Sequence, residues 1–446
     1  MRKIFEVGLI GGVVLAVLAF GGTETPTISI VQIAVLGVAI LLLMTFDSLQ
    51  VGSLKVPVFF SVVLVTFVLL QWARFSSGIC IAPYETLSHM VLLVMYLAAF
   101  YLTIVVCLDR EGDRRILHAL LGLGAFEAAY GLFQYLTGWQ RIFWYAKTVN
   151  LEMATGTYIN YDHYAGLLEM ILPFALAFVY GEYRKISRQY SRAPGQLRNA
   201  ILRGELQKLV LWLVLGAILF VAIVFSQSRM GLMSAIVSAL LVFVLAATSG
   251  SQKAWQRLSV ATVTLVFLIA GISLAVWIGP EPVMARFENL GEQYGASANN
   301  RATIWKDTLR LIDAHPWVGT GLGTFSIAYP SVQTSFEGRL VSHAHNDYLE
   351  FASELGIPAA VMLFGGIFYL LLQSARSSRR NEDRLDRAVA LGCFGSILSI
   401  LLHSRTDFNL QIPANALVFA VVLGIAYANL SRRPVVATAP ALASRA

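Results

Sequence analysis

The sequence predicts an all-α integral membrane protein with about twelve transmembrane helices and one large periplasmic loop that contains short helices. Two observations lead to this prediction. Hydrophobic residues make up 57% of the 446 positions, and only 13% of residues are charged, whereas soluble domains are usually about 45–50% apolar. A soluble domain of this composition would expose much of its apolar surface, so a polytopic membrane protein is favoured.

Each predicted helix is an apolar run long enough, or nearly so, to cross about 30 Å of hydrocarbon, which takes roughly 17–25 helical residues. Backbone groups find no water in lipid, so each run must be helical. The runs lie near 4–21, 28–45, 57–73, 89–107, 115–137, 163–180, 207–225, 231–247, 257–279, 357–374, 388–403 and 414–430. The first run is not a cleavable signal, because "GGTETPT" follows it without a small-x-small cleavage site.

Lys and Arg residues predict the orientation. If the amino terminus is cytoplasmic, the inner segments carry most of the 33 Lys and Arg residues, as the positive-inside rule requires. The formal charge of +7 is then a topology signal, with contact to anionic membrane lipids as a by-product. Nucleic-acid binding is not needed to explain it, and both termini are predicted to be cytoplasmic.

The chain divides into four predicted parts. Residues 1–279 hold nine helices with short loops, 280–356 form one large outward loop, 357–430 hold three more helices, and 431–446 form a disordered tail. The three cysteines show no CxxC spacing, which favours neither a disulfide framework nor a zinc site.

No metal site is predicted. The outer loop lacks HExxH and has no D-x-D pair that would hold Mg²⁺. The nearest approach is "DREGD", from Asp109 to Asp113, which we interpret as a solvated cytoplasmic loop.

Three carboxylates lie inside predicted helices: Glu6, Glu127 and Glu169. Transporters use such groups as ion relays. Glu6 and Glu169, however, lie within about two turns of a helix end, where snorkelling or helix–helix hydrogen bonds explain them more simply. Polar side chains gather instead at the outer face, as an interfacial enzyme would need.

Several outward cations lie close to predicted helix ends. Arg229, in "SQSRMG", is held at the membrane rim by a very short connection, and Arg301 is predicted to open an amphipathic helix. The planar guanidinium group of Arg can donate two hydrogen bonds to one phosphate group. These residues therefore suggest binding of an anionic lipid head such as a diphosphate, although Arg229 could instead be a snorkelling anchor.

The segment "SHAHNDYLEFASELGIPA" is unusually polar for so apolar a chain. Ser342 or Asn346 could cap a short helix that ends at Gly356, which places His345 at the helix start, where Asp347 or Glu350 could orient a ring. His345 is a candidate general base. The residues alone leave three roles open for it: catalysis, capping, and metal ligation through H-x-H.

These motifs together resemble the O-antigen ligase/polymerase superfamily of polytopic inner-membrane glycosyltransferases. The resemblance rests on "SHAHNDYLEFASELGIPAAVML", "SQSRMG", "NNRATIWKDTLRLIDAHPWVGTGLGTF" and "GTYINYDHYAGLLEMILPFALA". It covers roughly residues 150–375 by motif, although Met230 departs from the usual Ser-Arg-Gly-like turn.

The resemblance implies roles for particular residues. His345 would deprotonate an acceptor hydroxyl, and Arg229 and Arg301 would engage the diphosphate of an undecaprenyl-diphosphate-linked glycan, without metal, cofactor or nucleotide-sugar. The remaining candidates for substrate binding are Arg141, His163, Arg339, His343 and Asn346.

The implied activity is inverting transfer of the glycan onto lipid A-core oligosaccharide at the periplasmic face of the inner membrane. A polymerase that extends a lipid-linked glycan, for O-antigen or exopolysaccharide, is the alternative. A polysaccharide transporter without chemistry is a third hypothesis.

Overall fold

The computed structural model describes residues 2–45, 54–74, 80–190, 204–248, 269, 290–335 and 340–432. Its helices are α1 (Arg2–Leu18), α2 (Thr25–Thr45), α3 (Lys55–Ala73), α4 (Pro83–Cys107), α5 (Arg110–Thr137), α6 (Tyr161–Tyr190), α7 (Glu205–Ser226), α8 (Arg229–Thr248), α9 (Leu290–Ala314), α10 (Phe325–Ala328), α11 (Asp347–Arg380), α12 (Arg384–His403) and α13 (Pro413–Ser431). Two-residue strands β1 (Arg141–Ile142) and β2 (Tyr145–Ala146) pair antiparallel, and the other regular elements of the described residues are helices.

Ten of the described helices are long and apolar enough to cross a membrane, which makes this a multi-pass membrane protein. Helix α1 has 17 residues and is shorter than those ten, and the predicted helix at 257–279 lies outside the described residues apart from Ile269. The count of about twelve therefore stays a prediction, as do the domain boundaries and the disordered tail, of which 433–446 lie outside the described residues.

Helix α6 lies at the centre of the bundle. In its most apolar stretch 89% of residues are buried, and it packs against α7 and α12. The last helix, α13, packs mainly on α4. The polar residues at the start of α6 are therefore placed among helix ends rather than against lipid.

The turn between α7 and α8 is only two residues long. Gln227 adopts a left-handed backbone (φ 60°) that ends α7, and the Ser228 hydroxyl accepts a hydrogen bond from Gly231 N at 3.1 Å, which caps α8. The predicted short connection before Arg229 is thus confirmed.

The predicted break in "ELGIP" is confirmed inside α11. Asn346 caps the helix by accepting a hydrogen bond from Leu349 N at 3.1 Å. At Gly356 the backbone leaves the helical region (φ 75°, ψ 162°), and a Cβ there would lie 2.6 Å from the Trp317 carbonyl. A short helix, Asp347–Leu355, is therefore set at an angle to the long apolar helix that follows.

The interpretation of "DREGD" as a solvated loop was wrong. Asp109 caps α5 by accepting from Glu111 N at 3.3 Å, and Asp113 is fully buried. Asp113 Oδ2 lies 2.6 Å from Arg432 Nη2. An acidic residue at a helix start favours capping, so this segment begins a helix and pairs with the end of α13.

Candidate functional site

The loop before α11 is fastened to the connection between α12 and α13, residues 404–412. Asp347 N donates to Ser404 O at 2.9 Å, and the Ser404 hydroxyl donates to Asp347 Oδ2 at 2.6 Å. The Asn346 side chain donates to Arg405 O at 3.0 Å. Two segments about 60 residues apart in the chain thus form one end of the bundle.

His345 lies at the surface of this junction. Its side chain is 35% exposed, and its Nδ1 is 3.5 Å from Asp407 Oδ1. Its backbone is left-handed (φ 49°), a conformation that costs energy for a residue other than glycine and that is concentrated at functional sites. The ring is thereby held between solvent and a buried carboxylate.

Asp407 lies between two histidines. Its side chain is 4% exposed, and its second oxygen, Oδ2, is 3.6 Å from His403 Nε2. Burial alone would raise the pKa of Asp407, but the bond to His345 and the nearby imidazoles hold this pKa below the ordinary value. Asp407 is therefore a buried anion that faces His345.

His403 and Glu169 form a buried pair behind Asp407. His403 Nδ1 is 3.0 Å from Glu169 Oε1, and both side chains are almost completely inaccessible. The pair joins α12 to α6, so Glu169 serves a helix–helix contact, as the sequence suggested.

The groups that hold His343 in place differ from those that contact His345. Its Nδ1 is 2.8 Å from Glu350 Oε1, and its ring stacks on Phe408 with centroids 4.1 Å apart. Asp347 orients no ring among the described residues, because its oxygen is used by Ser404. The prediction that one of these two carboxylates orients a histidine ring is therefore confirmed for Glu350 and wrong for Asp347.

Phe408 brings a third predicted histidine into the site. The His163 ring packs edge-on to Phe408 at 4.7 Å, and the His345 ring does so at 4.9 Å. We call His163, His343, His345 and His403, with Asp407, the histidine cluster. Its members come from α6, the loop before α11, α12 and the connection 404–412.

Asp162 links the cluster to the turn that carries Arg229. Its Oδ1 accepts a hydrogen bond from the Ser228 hydroxyl at 2.6 Å, and Arg229 follows as the first residue of α8, half-buried. Arg229, which the sequence predicts at the membrane rim, thus lies beside the start of α6.

Arg301 lies close enough to Asp162 to interact with it electrostatically. One helical turn further on, Trp305 Nε1 donates to Ala344 O at 3.0 Å, which ties α9 to the loop beside His345. Helix α9 begins at Leu290, so the prediction that Arg301 opens a helix was wrong. The helix instead runs through the two Asn residues that precede Arg301.

Two other predicted residues are not brought into the cluster. The Arg141 guanidinium lies over the Trp139 ring at 6.0 Å, on the β1–β2 hairpin. Arg339 lies outside the described residues. The Asn346 side chain is used in capping α11 and in bonding Arg405 O, which is a structural role.

Three groups of the site could hold a metal ion. Asp162, His403 and Asp407 each offer one ligand atom, and these atoms lie within 4.8 Å of one another. No local sequence motif marks this group, because its residues come from the start of α6, the end of α12 and the following connection.

Asp407 and His403 are the site residues that sequence reasoning missed. They lie four apart in "HSRTDF", with His403 as the last residue of α12 and Asp407 in the connection that follows. The signal was present, but nothing local connected it with His345, which is some 60 residues earlier.

Fold and site together define a multi-pass membrane protein that carries a polar, histidine-rich site at one end of its helices. Residues 214–364 match the family model described as O-Antigen ligase. The resemblance to the O-antigen ligase/polymerase superfamily is confirmed. The matched segment includes Arg229, Arg301 and His345. A comparison with curated proteins gave no significant match.

The family supports an enzyme of the O-antigen ligase or polymerase type that acts on lipid-linked glycans. The matched segment ends before Asp407, so the partner of His345 is supplied by the fold around that segment.

Proposed function

We propose that the protein moves an undecaprenyl-diphosphate-linked glycan onto a hydroxyl of lipid A-core oligosaccharide at the periplasmic face of the inner membrane. The observation that carries this proposal is the partly exposed His345 ring, with Nδ1 3.5 Å from the buried Asp407 carboxylate. A histidine base needs such a position, because one side of its ring must be accessible to the substrate hydroxyl while the other side is held by a fixed partner.

The proposed step is a single displacement. With Nδ1 turned to Asp407, His345 Nε2 takes the proton of the acceptor hydroxyl. The acceptor oxygen attacks the anomeric carbon from the face opposite the diphosphate, and the bond between that carbon and the diphosphate oxygen breaks. The electron pair leaves on the diphosphate, and the configuration of the anomeric carbon is inverted.

Asp407 stabilises the imidazolium that this step creates. Its pKa is held below the ordinary value, so it is anionic before and after proton transfer. This is the role of an orienting carboxylate beside a histidine base.

The leaving diphosphate needs positive charge, and Arg229 and Arg301 supply it in this proposal. Both are half-buried. Arg229 directly follows Ser228, whose hydroxyl donates to Asp162, and Arg301 interacts with Asp162 electrostatically. A guanidinium fork suits two oxygens of a diphosphate, so no metal is required.

A transporter is less well supported. Ion relays need intramembrane carboxylates in a water-accessible path. Glu169 is instead paired with His403, and Glu127 accepts two hydrogen bonds from Thr157, at 2.9 and 2.7 Å. These groups have structural partners.

A deletion strain distinguishes the ligase from the polymerase. Lipopolysaccharide from a strain without the ligase should run as bare core, with polymerised glycan retained on its lipid carrier. Single-repeat product on the core would show an O-antigen polymerase instead, and unchanged lipopolysaccharide would refute both the ligase and the O-antigen polymerase.

A further inference from the structure

A basic cavity lies at the other end of the bundle from the histidine cluster, between the end of α6 and the connection from α11 to α12. Its volume is about 350 Å³, within the range of roughly 300–1,000 Å³ typical of small-molecule sites. Four cationic side chains line it: Arg184, Lys185, Arg384 and Arg387.

The cavity and the histidine cluster lie at opposite ends of α6. Helix α6 has Asp162 in its first turn and Arg184 beside the cavity, so the two points are about 33 Å apart along the helix axis. A diphosphate bound at the cluster cannot reach this cavity. The positive-inside rule places the cavity at the cytoplasmic face, because the segments around 181–208 and 375–387 are rich in Lys and Arg.

The cavity carries a surplus of positive charge. Among its lining residues Glu382 is the one carboxylate. A second carboxylate, Glu182, pairs with the lining residue Arg384 at 3.5 Å, so four cations face two carboxylates. Asp383 and Asp386 are engaged elsewhere, with Arg110 at 2.9 Å and Arg432 at 2.8 Å. Such a surplus in a recess attracts an anion.

One guanidinium is held in place before any ligand binds. Arg184 donates to the Tyr180 hydroxyl at 3.2 Å and lies over the Tyr180 ring at 5.7 Å. Tyr180 in turn donates to Ala246 O at 2.9 Å, which anchors it to α8. A fixed Arg loses less conformational entropy on binding than a mobile one.

We propose that this cavity binds the phosphate of an anionic phospholipid in the cytoplasmic leaflet. It lies at the ends of two membrane-crossing helices, α6 and α12, where lipid headgroups are found, and basic pockets between helices on this face bind such headgroups. Phosphatidylglycerol and cardiolipin have the required chemistry. The inference does not depend on the transfer reaction.

The test is thermal unfolding of the purified full-length protein in detergent. Phosphatidylglycerol should raise the Tm by several degrees, whereas phosphatidylcholine and inorganic phosphate should raise it much less. An equal rise with phosphatidylcholine would contradict recognition of net negative charge. A full rise with inorganic phosphate would contradict a lipid as the ligand.

Paired variants locate the effect. Arg184→Gln with Lys185→Gln should abolish the rise with phosphatidylglycerol. The matched control, Arg379→Gln with Arg380→Gln, removes two exposed cations at the end of α11 that do not line the cavity, and it should keep the rise. A cavity variant that keeps the rise would overturn the proposal.

A second measurement tests the proposal even if the double variant folds poorly. Native mass spectrometry of the wild type and of the single variant Arg184→Gln should show phosphatidylglycerol retained on the first and largely lost from the second. Equal retention would also overturn the proposal.

Discussion

At the scale of single residues, Asp407 connects the exposed ring of His345 to the interior. It lies 3.5 Å from His345 Nδ1 and 3.6 Å from His403 Nε2, and His403 is bonded to Glu169. The four groups form a line from solvent into the bundle. In the proposed reaction the buried members fix the position and charge of Asp407, and Asp407 fixes His345.

Replacement of Asp407 by Asn should therefore lower transfer by about 100-fold, because the amide neither orients nor stabilises the imidazolium in the same way. The pKa of Asp407 is below the usual carboxylate value of about 3.9, so the carboxylate is charged above about pH 5. We expect the same loss at every pH from about 6 to 9, measured as the rate of glycan transfer by the purified variant.

The matched control is Asp313→Asn, a change to an exposed carboxylate on α9, which should leave transfer unchanged. An Asp407→Asn enzyme as active as the wild type would remove the orienting role.

The arginines are tested by substitutions that keep the charge. Arg229→Lys and Arg301→Lys should each lose most activity with unchanged expression, because Lys lacks the two-point fork. Arg310→Lys is the control, since Arg310 is exposed and pairs with Asp307. Full activity in Arg229→Lys would make that residue an interfacial anchor, a role that Lys fills equally well.

At the scale of elements, the site depends on how α11 is bent. The short helix Asp347–Leu355 presents the loop with His343 and His345 to the connection 404–412, and the bend at Gly356 lets the apolar part of α11 run in another direction. The backbone at Gly356 is left-handed and close to Trp317, so only glycine fits without strain.

Gly356→Ala should accordingly destabilise the protein by about 1–3 kcal/mol, the cost of a strained backbone conformation, seen as a lower Tm in detergent. Gly365→Ala is the matched control in the same helix. A Cβ at Gly365 meets nothing within 4 Å, so its Tm should not fall. Equal Tm values for the two variants would show that the bend is not needed.

A metal ion at the site would join different elements, because its possible ligands come from α6, α12 and the connection 404–412. Asp162, His403 and Asp407 are close together, but the nearby guanidinium of Arg301 already interacts electrostatically with Asp162. Transfer should therefore continue in excess EDTA. A loss that Mg²⁺ or Mn²⁺ restores would replace the arginine-based account with a metal-based one.

Over the whole molecule, the sequence predicted most of the structural features that depend on local sequence pattern. Long apolar runs predicted the helices, because a single segment in lipid can satisfy its backbone hydrogen bonds only as a helix. The cap at Asn346 and the break at Gly356 follow from short-range chemistry. The predicted helices at 231–247 and 388–403 are present as α8 and α12.

What the sequence did not predict depends on contacts between distant segments. Asp407 and His403 acquire their roles from the packing of 404–412 against the loop before α11, and no periodicity encodes that packing. Asp113 is similar, because its pairing with Arg432 joins residues more than 300 positions apart. The resemblance to a family identified His345, whereas the fold identified its partner.

The most direct test of the account is transfer by purified protein in detergent, with an undecaprenyl-diphosphate-linked glycan as donor and lipid A-core as acceptor, for wild type, His345→Ala and His343→Ala. His118→Ala, a change to an exposed ring that stacks on Trp212, is the control for folding. We expect His345→Ala to abolish transfer, His343→Ala to cost less, and His118→Ala to match the wild type. Near-wild-type turnover by His345→Ala, or an equal or larger loss in His343→Ala, would contradict His345 as the base.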